Sequence, residues 1–271
     1  MKVQGHLLKM KTIHASPVEY SLSLDNKLTP LNQFLGKKIE MKFLDEIECI
    51  ATGEKIKKSY SQGYSYKAFM TLPECDLCIV KPELCHFAKG TCRDPEWGKQ
   101  HCFQPHYLYL AYSSGLKVGI TRQKQVPTRF MDQGAHFALP ILQFKSRFDS
   151  GVMEAELKGE FSDKTNWQQM LKGVADESFD PENLYAIRDE IYENYGDLID
   201  QLEAEDLDHD LIEINYPVLT YPEKVKSLGF DKQKTVAGTL QGLKGQYMIL
   251  DTGVINMRKH QGYLIEFSAS V

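Results

Sequence analysis

The sequence predicts an α+β fold on three observations. Apolar and polar residues alternate at both ends of the chain, a helical repeat runs through residues 180–204, and a hairpin follows a cysteine cluster in between. Because neither end has enough strands for a stable barrel alone, we expect segments 1–48 and 216–271 to pair into one small β-barrel or sandwich. The predicted insertions are a zinc-binding segment (49–104), an α/β module (105–175) and an acidic helical arm (176–215).

The alternation that predicts strands is clearest at residues 18–24 and 38–43 near the start of the chain. Similar runs lie at 235–240 and 262–267 near its end, separated by glycine-containing turns. Alternation with a period of two places one face of each strand against a core.

The helical repeat begins at a strong start signal. Asp180 is an expected N-cap and Pro181 fits the first helical position. Apolar residues then recur at steps of three and four, while the other face is acidic. These apolar positions are Leu184, Ile187, Ile191, Tyr195, Leu198 and Leu202. A further helix is expected to open at Thr165, with Gln168 completing a capping box.

Charge is distributed unevenly around a net charge of −5. Segment 176–215 holds 15 acidic residues and one basic residue, whereas segment 55–147 holds 14 basic and 6 acidic residues. A basic middle beside an acidic arm suits binding to nucleic-acid phosphates, with the arm acting as a decoy or as the surface for a protein partner. The alternative is two ordinary solvated faces.

Apolar runs in the sequence are too short for a membrane span, which needs about 18 apolar residues, and the first residues lead into no apolar signal segment. We therefore expect a cytoplasmic protein without a membrane partner. In that compartment clustered cysteines are metal ligands more often than disulfides.

Five of the six cysteines lie between residues 75 and 102. Thiols at this density in a stretch with little apolar periodicity predict a structural zinc site with four ligands. Cys85, Cys92 and Cys102 belong to every assignment of ligands, and Cys78 is the preferred fourth. Cys75 or a nearby histidine is the alternative to Cys78.

The predicted hairpin joins two β-prone runs, 106–111 and 116–122, through a Ser-Ser-Gly turn. Leu108-Tyr109 and Lys117-Val118-Gly119 on these runs resemble the two strand motifs of the GIY-YIG nucleases, with lysine where the second tyrosine usually stands. The longer arrangement from Cys49 to Trp167 resembles an uncharacterised bacterial family of domains of unknown function. In that family two knuckles of the type Cys-x2-Cys would precede the main cluster; here only Cys49 remains, so we expect this first site to hold no zinc. Packing of Tyr60, Tyr64, Tyr66 and Phe69 would hold the ribbon instead.

The GIY-YIG resemblance implies a set of site residues. Tyr109 would act at the attacking water, Arg129 would steady the phosphate, and a glutamate on the next helix would hold one divalent cation, Mg2+ or Mn2+. Glu154 is preferred for that role over Glu156 and Glu160. A helix over 128–138 is expected to place Arg129, Asp132, Gln133 and His136 on one stripe.

Two hypotheses of function follow. The first is a zinc-containing, metal-dependent phosphodiesterase or nuclease of GIY-YIG type, in which Lys117, Arg122 and Lys124 contact DNA or RNA. The second is a nonenzymatic module that binds nucleic acid or ribonucleoprotein and retains the fold without the chemistry. Fold alone does not separate them.

Overall fold

The computed structural model describes residues 1–161, 166–173 and 179–270, and contains two β-sheets flanked by helices. The strands in chain order are β1 (Lys2–Ile13), β2 (Glu19–Leu24), β3 (Lys27–Pro30), β4 (Lys38–Ile47), β5 (His106–Tyr112), β6 (Leu116–Arg122), β7 (Phe137–Phe144), β8 (Glu205–Asp206), β9 (Ile212–Glu213), β10 (Ser227–Leu228), β11 (Thr235–Lys244), β12 (Tyr247–Leu250), β13 (Gly253–Asn256) and β14 (Tyr263–Ala269). The helices are α1 (Tyr66–Thr71), α2 (Pro95–His101), α3 (Thr128–Asp132), α4 (Arg147–Leu157), α5 (Trp167–Met170) and α6 (Asn183–Gln201).

The first sheet has nine strands in the order β10-β13-β12-β11-β4-β14-β1-β2-β3. Strands from the two ends of the chain pair directly within it: β14 lies between β4 and β1, and both pairings are antiparallel. Of the two expected forms, barrel or sandwich, the barrel is wrong, because β10 and β3 are the free ends of this order among the described residues. Short β2 and β3 terminate one side, while the two-residue β10 terminates the other.

The second sheet contains the predicted hairpin. Its order is β6-β5-β7-β8, and β9 also pairs with β7. Strand β5 is buried along its whole length, since β6 and β7 flank it and helices cover it. Strand β6 is therefore the edge of this sheet.

Helix α6 forms on the predicted repeat and packs against the second sheet. Its predicted start is wrong by two residues: α6 begins at Asn183 after the N-cap Glu182, and Asp180 instead accepts a hydrogen bond from the Glu182 N–H at 3.0 Å in the preceding turn. Leu184, Ile191 and Ile199 of α6 are buried in a core shared with Leu110 and Leu139. The acidic segment is thus attached to the module by its apolar face. The helix predicted to open at Thr165 begins at Trp167, capped by Asn166, and Thr165 lies outside the described residues.

The largest core joins the two sheets. Tyr109 and Phe130 from the second sheet and its α3 pack in the same buried cluster as Leu7, Met10 and Phe267 of the first sheet. Burial of this size is the main source of stability for such a domain. Among the helices described, none combines the length and the apolarity that crossing a bilayer requires.

Candidate functional site

A cleft of about 500 Å³ opens beside edge strand β6. Its walls come from β6, α3 and α4, from the segment that carries the cysteines, and from the turn before β14. Tyr109, Arg129 and Glu154, which the sequence proposed as one site, all line this cleft. Lys117 and Arg122 line it as well.

Tyr109 lies in the floor of the cleft and is buried. It is opposite Gly119 in the β5–β6 pairing, and its ring occupies the space that a side chain at Gly119 would need. The Tyr109 hydroxyl donates to Oε1 of Gln133 at 2.8 Å. Burial raises the pKa of Tyr109, and the neighbouring Arg129 guanidinium opposes part of that rise. The phenol is therefore a proton donor at neutral pH.

Lys117 shares the acceptor of Tyr109. Its Nζ donates to the same Oε1 of Gln133 at 2.6 Å, and the residue is 3% exposed. Burial, together with the neighbouring Arg129, lowers the pKa of Lys117 to about 7, although Glu154 acts in the opposite direction. A buried amine of this kind exists in both protonation states near neutral pH.

Arg129 lies on a helix shorter than the sequence predicted. The expected helix over 128–138 ends at Asp132, because Gly134 adopts a left-handed conformation (φ 71°) and β7 begins three residues later. Arg129 and Gln133 line the cleft, as expected from one stripe. His136 does not: its Nε2 lies 2.6 Å from Nζ of buried Lys244.

Glu154 is the candidate acid that reaches the cleft. Its side chain is 13% exposed, and Lys158 Nζ lies 3.6 Å from Oε2. Glu156 is exposed, and Glu160 accepts a hydrogen bond from the Tyr195 hydroxyl at 2.9 Å. Glu154 is therefore the one of these three that could hold a cation inside the cleft.

Two arginines that the sequence reasoning missed complete the basic lining. Arg147 begins α4 and donates to the Ile79 carbonyl at 2.5 Å, and Arg258 comes from the turn before β14. Burial lowers the pKa of both guanidinium groups. No spacing in the sequence connects them to the hairpin, so only the fold identifies them. Lys124, which the sequence proposed for nucleic-acid contact, is exposed on a 3₁₀ turn and does not line the cleft.

The four thiols proposed as metal ligands surround one small cavity beside the cleft. Cys78, Cys85, Cys92 and Cys102 all line it. Burial raises the pKa of Cys78 to about 12, and Asp76 and the other three thiols add to the rise. At this pKa the Cys78 thiol is protonated without a metal, and a dication would favour the thiolate, so these cysteines could hold a metal. Of the four, Cys78 alone belongs to a group of described residues whose ligand atoms lie within 4.8 Å of one another. Cys75 does not line the cavity.

Asp76 and His86 lie close to Cys78. A histidine was one of the predicted alternatives to Cys78, whereas Asp76 was not assigned from the sequence. Asp76, Cys78 and His86 place one ligand atom each within 4.8 Å of one another. Asp76 is already paired with Nε of Arg93 at 2.9 Å, and His86 Nδ1 lies 2.8 Å from the Thr91 hydroxyl. Asp76 and His86 therefore suit a supporting role beside the thiols. The Asp-x-Cys spacing of Asp76 and Cys78 would have been the signal for Asp76 in the sequence.

A second group, His6, Glu46 and Glu48, also brings three ligand atoms within 4.8 Å of one another. It lies outside the cleft. Lys55 already bonds Glu46 at 2.6 Å, and Asp25 contacts the other ring nitrogen of His6 at 3.1 Å.

Cys49 lies in a tight turn away from these four thiols. Thr52 and nearby backbone amides bond its thiol and lower its pKa, although burial acts in the opposite direction and is the largest effect. Of the aromatic residues expected to hold this ribbon, Tyr60 contacts Tyr66 and Phe69 with ring centroids 5.3 and 6.3 Å apart. Tyr64 instead lines the cleft.

Comparison with known proteins gives a family but no characterised relative. Searches of the curated proteins and of the solved structures found no match to the chain. A family model described as "Protein of unknown function (DUF2797)" matches residues 36–265. The matched residues make up most of the chain, which therefore belongs to this family.

Proposed function

We propose that this protein binds nucleic acid in the cleft beside β6 and cleaves a phosphodiester bond there with a divalent cation. The observation that carries the proposal is the convergence of Tyr109, Arg129 and Glu154, from three separate elements, on one solvent-reachable cleft. Residues chosen by sequence pattern alone would be expected to lie on different surfaces of the protein.

The charge of the cleft supports an anionic ligand. Its described lining contains five basic side chains and two carboxylates, those of Glu74 and Glu154. Partly buried cations facing one another lose solvation, as the lowered pKa values of Lys117, Arg147 and Arg258 reflect. A phosphate would restore the lost interactions with charge-assisted hydrogen bonds.

Each cleft residue has a chemical role in this proposal. Arg129 presents a planar fork that pairs with two phosphate oxygens. Tyr109 stays protonated, and its hydroxyl would orient water or a phosphate oxygen by transferring its hydrogen bond from Gln133 to the ligand. Glu154 would hold the cation, which supplies Lewis-acid stabilisation of the phosphate when bound. These groups lie on a sheet and two helices, which hold them in place.

The cysteine segment is assigned a structural role. We propose that Cys78, Cys85, Cys92 and Cys102 bind one zinc ion and thereby order a segment with little apolar core of its own. The segment supplies Ile79, whose carbonyl accepts the hydrogen bond from Arg147. Metal binding would in this way fix one wall of the cleft.

A nonenzymatic binding module is the second candidate. It is favoured by the enclosure of Tyr109, which is 1% exposed and shares its acceptor with Lys117. In that case the cleft would grip phosphate without activating water. The two candidates differ in turnover and agree on binding.

The decisive experiment is a cleavage assay on labelled single- and double-stranded DNA and RNA, with Mg2+, with Mn2+ or with chelator. We expect cleavage that requires the cation and is abolished in Glu154→Gln, which has nearly the same shape but no charge. Glu156→Gln is the matched control on the same helix and should retain activity. Binding without cleavage on every substrate would leave the second candidate, and absence of both would contradict the proposal. The logarithm of the affinity should fall linearly with the logarithm of the salt concentration.

A further inference from the structure

A second compartment of about 290 Å³ adjoins the cleft. Gln62, Lys117, Arg129, Gln133 and Arg258 line both spaces, so they form the boundary between them. A phosphate held by Arg129 and Arg258 would therefore face the cleft on one side and this compartment on the other.

The far side of the compartment is aromatic. Trp167 of α5 and Tyr247 of β12 line it, with parallel rings (2° between planes) and centroids 5.8 Å apart. Both rings also pack against a buried cluster that includes Met170 and Ile249. This packing holds the rings in one orientation, so little conformational entropy is lost when a ligand contacts them.

The polar groups around the aromatic pair differ in how far they are free to form hydrogen bonds with a ligand. Asp132 accepts from Lys9 Nζ at 2.6 Å and from Gln246 at 2.8 Å, so its carboxylate is already paired. The amide of Gln62 at the boundary can both donate and accept hydrogen bonds. Oε1 of Gln133 already accepts from Tyr109 and Lys117, so Gln133 offers a ligand its NH2 group as a donor. An aromatic wall with amides at its edge suits a flat ring that carries polar edges.

We propose that this compartment binds one nucleobase of the strand whose phosphate lies against Arg129 and Arg258. The inference rests on the proposed nucleic-acid binding in the cleft, but it holds whether or not the bond is cleaved. The base stacks on the Trp167–Tyr247 pair, and an arginine beside an aromatic face favours that contact. Stacking tolerates every base, so the compartment would require a base without choosing its identity.

The test compares short single-stranded oligonucleotides, as DNA and as RNA, with abasic backbones of the same length and charge. We expect the abasic strand to bind about tenfold more weakly, the size of one stacked base. Tyr247→Leu should weaken binding of the base-bearing strand to the level of the abasic strand and leave the abasic strand unaffected. Arg129→Lys, which keeps the positive charge, should affect the two strands equally and preserve the difference in affinity between them.

A second readout avoids reliance on a variant that could disturb packing. The chain has two tryptophans, Trp97 and Trp167. Base-bearing strands should quench the fluorescence of the unmodified protein, and abasic strands should not. Trp167→Phe, which keeps an aromatic ring, identifies the signal by removing it.

The outcomes separate the two proposals. Equal affinity and equal quenching for base-bearing and abasic strands would overturn the nucleobase site and leave phosphate binding in place. Failure of both strands to bind would overturn both proposals. Quenching that persists in Trp167→Phe would assign the signal to Trp97 and contradict the site.

Discussion

The ring of Tyr109 lies directly over Gly119, so that a Cβ atom at position 119 would stand 2.6 Å from the Tyr109 hydroxyl. The two residues face each other across the β5–β6 pair. Glycine at this point of the motif thus has a steric reason: it makes room for the aromatic ring that forms the cleft floor. The same ring reaches Gln133, so three elements meet at this contact.

Gly119→Ala should therefore destabilise the protein by about 1–3 kcal/mol, because the added methyl group displaces a buried ring. Denaturant unfolding measures the change. In a Tyr109→Ala background the methyl group has space, so the two substitutions should be strongly nonadditive. Additive losses would mean that the two side chains do not compete for this space.

Arg129→Lys should reduce turnover by about 100-fold while nucleic acid still binds, because lysine keeps the charge and loses the planar fork. Single-turnover cleavage and binding are measured on the same preparations. A thermal melt is the control, since a structural role for Arg129 would lower stability and binding together. Unchanged cleavage in a folded lysine variant would contradict the assignment of Arg129.

Elemental analysis should find about one zinc per chain. Cys102→Ser should lose the metal and melt at a lower temperature, and a strong chelator should have the same effect on the unmodified protein. Cys49→Ser is the matched control and should retain the zinc, since Cys49 lies in a separate turn. Two zinc ions per chain would show that the first ribbon is also a metal site.

Gly151 and Gly196 form a matched pair of glycines within helices. A methyl group at Gly196 meets no atom within 4 Å, so Gly196→Ala in α6 should stabilise the protein by up to about 1 kcal/mol. A methyl group at Gly151 would stand 2.4 Å from Pro82 of the cysteine segment, so Gly151→Ala should destabilise it. Equal effects at both positions would contradict the close packing of that segment on α4.

Lys244 provides a prediction about pH. It is fully buried beside His136, and burial lowers its pKa from 10.5 to about 7. Between these values the unfolded chain holds a proton that the folded protein lacks, so this group makes stability rise with pH. Lys244→Met should therefore lose part of that rise between pH 7 and 10.5.

The measurement for Lys244 is the unfolding free energy across this pH range, in the unmodified protein and in the variant. Lys232→Met, at an exposed position, is the control and should follow the unmodified protein. An identical pH dependence in Lys244→Met would show that this amine stays charged when buried.

Local patterns in the sequence predicted the elements that periodicity controls. The alternating runs became β2, β4, β11 and β14, and the helical repeat became α6. Residues 133–138 were misassigned to a helix, because the polar stripe fits a helical spacing and the stop signal at Gly134 was overlooked. The polar stripe alone could not show that α3 is five residues long and ends at Asp132.

The sequence predicted those residues of the candidate site that belong to a motif. It did not predict the residues that tertiary packing alone brings to the site. Tyr109, Lys117 and Gly119 follow from the hairpin motif. Arg147 and Arg258 reach the cleft only through the packing of α4 and the turn before β14, which no local spacing encodes. The second compartment likewise joins Trp167 to Tyr247, 80 residues apart in the chain.

The position of β14 between β4 and β1 has a consequence for synthesis on the ribosome. Until residues 263–269 emerge, the facing edges of β1 and β4 have no partner, and their backbone groups remain open to pairing with other chains. Strands β1 and β4 therefore complete their pairing only after β14 has been synthesised. Arg258 emerges just ahead of that strand, so the cleft gains its full charge only as the sheet closes. A ribosome-bound chain would accordingly lack one of the five basic side chains of the cleft until this part of the chain has emerged.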